Sequence, residues 1–244
     1  MPKRLGSQSG MRNICVNFAD MNKIVIVSLM AVASILGARA QGNPLRDSLS
    51  AASKLVEEYP DSVDLRLKKA GWNMMLQQWQ YAKDEYDRVL RRHPTNAAAL
   101  FYRAYANERL SRYNFARLDY EHFLTIVPGN FEAQLGLVLL NQKDHHYTEA
   151  LDGINRLVEA YPDSAVAYAA RGGIEKERNM LELAADDYEK AWQLDGQTAD
   201  YLVNLVDLRF RLGQTALAQE GLRQLERMGY PRRSLEKELA NRKR

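Results

Sequence analysis

LVEEYPDS, residues Leu55 to Ser62, returns as LVEAYPDS at Leu157 to Ser164. The offset is 102 residues, three steps of 34. Pro60, Pro94, Pro128 and Pro162 keep the same step. So do Asn73, Asn107 and Asn141, and Ala82, Ala116, Ala150 and Ala184, with aromatic Tyr86, Tyr120 and Tyr188 following. Several independent marks on one period of this length mean a solenoid of stacked units, each too small to bury its apolar face alone.

Within a unit the pattern predicts helix, turn, helix. In Ala97 to Asn130, AAALFYRAYANERLSRYNFARLDYEHFLTIVPGN, one stripe falls at Leu100, Ala104, Asn107 and Leu110. A second falls at Tyr113, Ala116, Tyr120, Phe123 and Leu124. These spacings are helical. Proline after the second stripe ends the helix and starts the turn to the next unit. Alanine lets two helices approach closely, and the facing aromatic fills the remaining space.

These marks resemble the tetratricopeptide repeat family. In Ala97–Asn130 the family's small residues are Ala104 and Ala116, its aromatic Tyr120 and its closing proline Pro128. In 63–96 they are Ala70, Ala82, Tyr86 and Pro94. In 131–164, Val138 replaces the first small residue and Ile154 the aromatic. In 165–198, Gly172, Ala184 and Tyr188 remain and Gly196 replaces the proline. A fifth unit, 199–232, carries Gly213, Ala218 and Leu222 after a shift of two residues. The resemblance implies an all-α solenoid of hairpins in a right-handed superhelix, with a concave face lined by the first helix of each unit. It implies a groove for a peptide or partner helix. The matching places are Leu67, Met74 and Met75, then Phe101, Tyr105, Glu108 and Arg109, then Glu132, Leu135, Leu139, Gln142 and Lys143. Aromatic anchors beside arginine suit a peptide hot spot, while any helical stripe can equally be core. The family's carboxylate clamp is not matched.

One internal pattern bears on hairpin geometry. Lys69, Arg103 and Arg171 hold the seventh place of their units, and Glu85, Asp119 and Asp187 the twenty-third. In the third and fifth units those places hold Leu137 with Gly153 and Leu205 with Gly221. Base and acid change together, which predicts an ion pair between the two helices of a hairpin. The ends require caps. Residues 41–62 read as a capping helix, with Leu45, Leu49, Ala52, Leu55 and Val56 inward. Residues 233–244 read as a basic terminal helix capped by Ser234, with Glu236 and Glu238 early and Arg242, Lys243 and Arg244 late.

The amino-terminal segment is of another kind. Residues 21–40 read MNKIVIVSLMAVASILGARA: a lysine, an uncharged run from Ile24 to Leu36, then Ala38-Arg39-Ala40. This is the pattern of a secretory signal peptide, with cleavage expected before Gln41. Spanning a bilayer takes about 20 apolar residues, and this run is shorter. Residues 1–20 read as an unused upstream extension. The expected location is the periplasm or cell envelope, or outside the cell.

Composition fits this division. The chain has 244 residues, 46% hydrophobic and 27% charged, ordinary for a globular protein. Its formal charge of +3 invites nucleic acid or an anionic membrane as partner. Residues 1–40 hold five bases and one acid, so the rest carries 29 bases against 30 acids. The single cysteine, Cys15, also precedes the body, so a disulfide framework is excluded.

No chemistry is signalled. There is no nucleophile elbow, phosphate-binding loop or HExxH, and no cofactor is expected. His145 and His146 lie in a turn beside Asp144, but adjacent turn residues rarely converge on one ion. The expectation is a non-enzymatic scaffold with a protein or peptide partner. Self-association within an envelope assembly is a second reading, and RNA binding of the pentatricopeptide kind a third.

Overall fold

The computed structural model describes residues 43–233 and 239. The segments read as a signal peptide and an upstream extension, and most of the one read as a basic terminal helix, Ser234 included, lie outside the described residues. Eleven helices follow in order among them: α1 (Pro44–Glu58), α2 (Val63–Met75), α3 (Trp79–Arg92), α4 (Ala97–Arg109), α5 (Tyr113–Ile126), α6 (Phe131–Lys143), α7 (Tyr147–Ala160), α8 (Ala165–Glu177), α9 (Leu181–Leu194), α10 (Ala199–Arg211) and α11 (Thr215–Arg227). They form an all-α solenoid. Each helix packs on its neighbours in sequence, from α1 on α2 to α10 on α11. First helices also touch across units, α2 on α4, α4 on α6 and α6 on α8, which places them on the inner side of the curve.

Sequence fixes both ends of the first helices. Ser62 Oγ, Asn96 Oδ1, Asn130 Oδ1 and Ser164 Oγ accept the amides of Leu65, Ala99, Ala133 and Ala167 at 3.4, 2.8, 2.8 and 3.2 Å. These are N-caps, each satisfying one donor that the helix itself cannot. Where Gly196 replaces the proline, another device makes the turn. Asp195 accepts the Thr198 hydroxyl at 2.6 Å and the Gln197 amide at 3.1 Å. Those bonds, the hydroxyl's first, hold its carboxyl below the usual range.

At the other end the chain reverses through one motif used five times. The amides of Gln78, Arg112, His146, Met180 and Gln214 donate to the carbonyls of Asn73, Asn107, Asn141, Glu175 and Arg209. This is the six-to-one bond of a Schellman turn, whose preceding residue is left-handed. That residue is Gln77, Ser111, His145, Asn179 and Gly213, with φ of 57, 57, 61, 60 and 74°. Only the fifth is glycine, so the other four carry the Cβ cost of this conformation. Ser111→Gly should therefore stabilise the protein by about 0.5–1 kcal/mol, and Gly213→Ser should destabilise it by a similar amount. Urea unfolding of both variants checks the pair of signs. The left-handed residue also settles the register of the last hairpin: α11 starts sixteen residues after α10, as in the other units, and the two-residue shift is absent.

The core is built from the repeated small residues and what faces them. Ala70, Ala82, Ala104, Ala116, Ala150 and Ala184 are fully buried, with Tyr86 and Tyr120 at 2% exposure. The expected ion pairs form. Lys69 Nζ lies 2.9 Å from Glu85, Arg103 Nη2 2.6 Å from Asp119 and Arg171 Nε 2.6 Å from Asp187. Arg103 also reaches back to Asp87 on the preceding α3 at 2.8 Å.

The glycines of the third and fifth units have a packing cause. A Cβ on Gly153 would stand 2.7 Å from Val138 Cγ2, and one on Gly221 2.5 Å from Val206 Cγ2. Valine takes the place that Ala70, Ala104 and Gly172 hold in the charged units. The solenoid thus uses two sets: base, small residue and acid, or leucine, valine and glycine. Leu239 is buried against the last hairpin and covers part of its end.

Candidate functional site

The inner-face residues expected to form a groove divide into two groups. Met74 is 7% exposed and belongs to the core of the first hairpins. Phe101 is half-buried, with ring centroids 5.3 Å from Tyr102, 5.8 Å from Tyr120 and 5.4 Å from Phe123. Leu67 and Leu135 are half-buried against core clusters. These four support the face from beneath.

The second group holds the exposed Met75, Arg109 and Lys143, with Tyr105 half-buried against the same core cluster as Phe101. Tyr105 meets the edge of Trp79 at 6.0 Å, and the Arg109 guanidinium lies 5.3 Å over the Trp79 ring. A cation over an indole face in a partly wet site contributes about 0.5–1 kcal/mol and holds the arginine in one orientation. Beside them Glu108 and Lys143 pair across adjacent units. Met75 is exposed, and Glu132, Leu139 and Gln142 are half-buried. The structure therefore brings Tyr105, Arg109, Glu108 and Lys143 onto α4 and the neighbouring end of α6.

Trp79 was not among the residues that the sequence pattern picks out. Its signal was present: the first place of each second helix reads Trp79, Tyr113, Tyr147, Leu181 and Thr215. At Trp79 the ring is covered by an arginine of the next unit. Arg178 lies 4.9 Å over Tyr147 in the same manner.

A second surface follows the period on the outer side. Tyr81, Phe115, Leu183 and Leu217 share the nineteenth place of their units and are 66, 63, 53 and 50% exposed. Glu149 interrupts the row in the third unit. Leu118, 62% exposed, adjoins Phe115 one turn on. Four large apolar side chains thus stand in open solvent at one structural place of their units.

The histidine pair does not converge. His145 Nδ1 contacts the Tyr147 hydroxyl at 2.8 Å, while His146 Nδ1 faces Arg117 Nη2 at 2.8 Å. Among the described residues no three histidine, cysteine or acidic side chains gather to hold a metal. Nor is any described helix long and apolar enough to cross a membrane.

Residues 65–96 match the tetratricopeptide repeat family. The solenoid has the fold of stacked helical hairpins that resemble tetratricopeptide repeats. A tetratricopeptide repeat protein from Parabacteroides merdae superimposes with a TM-score of 0.64 at 20% identity, over 81% of this chain and 77% of that one. MamA from Desulfovibrio magneticus RS-1 gives 0.60 at 22% identity, over 68% and 94%. YrrB, described as a TPR protein with an unusual peptide-binding site, gives 0.54 at 20% identity, over 72% and 91%. In sequence, 101 residues are 32% identical to sperm-associated antigen 1 of Rattus norvegicus. That stretch is 41% of this chain and 11% of the relative.

Proposed function

We propose that this tetratricopeptide-repeat solenoid is a protein-interaction scaffold that takes a peptide or partner helix on its inner face. The observation that carries this reading is the Trp79–Tyr105–Arg109 edge, a preordered aromatic and cationic surface. Rings and a held guanidinium lose little side-chain entropy on binding, which is what a hot spot requires. The peptide-binding site of YrrB, a relative in fold, points the same way. Export is part of the proposal and rests on residues 21–40 alone.

A second reading is self-association within an envelope assembly. It is favoured by the outer row Tyr81, Phe115, Leu183 and Leu217, because a second copy presents the same row at the same spacing. One experiment separates the two. A photocrosslinking residue is placed at position 105 or at position 115 of the full chain in its native cell. Crosslinks from 105 to a different protein support the inner face. Crosslinks from 115 to another copy support self-association. The absence of both sinks the scaffold reading.

A further inference from the structure

The eleventh place of the first four units is buried inside its hairpin. In the first three it holds Asn73, Asn107 and Asn141, at 3, 2 and 8% exposure. In the second unit its role is visible: Asn107 Nδ2 donates to Asp119 Oδ2 at 3.2 Å. Asp119 is the acid of the hairpin ion pair, and the amide supplies it with a further donor.

The fourth unit has Glu175 at this place, 7% exposed, facing the corresponding acid Asp187. An ionised carboxylate has no proton to give. Arg171 already holds both Asp187 oxygens, at 2.6 and 2.8 Å, so Asp187 is the charged member. Glu175 Oε2 is buried without a hydrogen-bond partner. A charge at that oxygen would have no donor to accept from, and an unsatisfied charge is costly in a protein interior. Protonation resolves both difficulties. It removes the charge and makes Glu175 a donor to Asp187, as Asn107 is to Asp119.

We propose that Glu175 and Asp187 hold one proton between them, and that the fourth hairpin, α8 with α9, loosens when this proton is lost. Burial first, and then the charge of Asp187, pushes the Glu175 carboxyl up to about 7, with Arg171 opposing and Asp186 adding to it. The other neighbours are spoken for. Helix α7 meets Arg171 with the neutral amide of Asn155. On α10, Asp207 is paired with Lys176 and Arg209 with Glu189. The direction of the effect follows. Below the ordinary glutamate value of 4.5, folded and opened chains both carry the proton. Between there and about 7 the opened chain loses it while the folded chain keeps it, so stability falls as pH rises. Above that range the loss is complete. The hairpin between the third and fifth units is then weakest at neutral and mildly alkaline pH.

The test uses the full chain. Carboxyl-carbon NMR of the unaltered protein should show Glu175 titrating with a midpoint near 7; a midpoint in the ordinary glutamate range would overturn the proposal. Glu175→Gln keeps a donor toward Asp187 at every pH. Hydrogen exchange, corrected for intrinsic rates, should show amides of α8 and α9 opening up to about a hundredfold more at pH 8 than at pH 5 in the parent. The variant should not show this excess, and α4 and α5 should not show it in either protein. Equal pH profiles in parent and variant would overturn it. The NMR midpoint stands even where the variant fails to fold.

Discussion

Arg103→Leu is expected to destabilise the protein by about 3 kcal/mol, the cost of leaving a buried carboxylate without its cation. Asp119 is 7% exposed in its side chain and would retain only the Asn107 amide. Asp87 would lose its second cation as well, keeping Lys83 at 2.6 Å. The informative experiment adds Ala104→Val and Asp119→Gly to the same chain. That triple change installs in the second hairpin the set that the third uses, Leu137, Val138 and Gly153. Asp119→Gly removes the orphaned charge and opens the space that the valine methyl fills, as Val138 fills it over Gly153. Stability should return to within about 1 kcal/mol of the parent, although glycine in a helix costs about that much by itself. Urea unfolding measures both. If the triple variant is no more stable than Arg103→Leu, the two sets are not interchangeable solutions and their covariation has another cause.

The second large effect is on binding. Tyr105→Ala with Arg109→Ala removes the ring against Trp79 and the guanidinium over it. Truncating central aromatic and arginine anchors costs about 2–4 kcal/mol of binding free energy, a loss of at least tenfold in affinity. The fold should survive, because the Arg109 side chain is exposed and Tyr105, though packed against the first core cluster, is half-buried at its Trp79 edge. Phe101 is the wrong residue for such a test. Its ring packs on Tyr120 and Phe123, so Phe101→Ala would disturb the core together with any surface above it.

That difference marks where sequence reasoning stops. The period, the helix-turn-helix units and the ion pairs at the seventh and twenty-third places were legible, because each repeats and each has one physical meaning. Phe101 and Tyr105 were not separable, because they lie one turn apart on the same helix. A stripe shows which side is apolar, not which member a neighbouring helix covers. The left-handed residue of each hairpin escaped for the opposite reason. Gln77, Ser111, His145 and Asn179 share no chemistry, and only Gly213 announces the conformation they adopt. Glu175 stood in the sequence as a break in the asparagine series, but its meaning depended on seeing Asp187 opposite it with both oxygens already engaged.

The outer row and the inner edge make different demands on a partner. Tyr81, Phe115, Leu183 and Leu217 form an apolar line spaced by hairpins, suited to a surface of the same spacing. Trp79, Tyr105, Arg109, Glu108 and Lys143 form a compact mixed patch across adjacent units, suited to a short segment entering the curve. The second of these is the proposed recognition surface. Its most direct test is an affinity measurement. A partner recovered by crosslinking from position 105 is titrated against the parent and against the Tyr105→Ala, Arg109→Ala variant, with helical circular dichroism and melting recorded alongside. Affinity should fall at least tenfold with the helical signal and melting unchanged. Unchanged affinity in a folded variant would contradict that assignment.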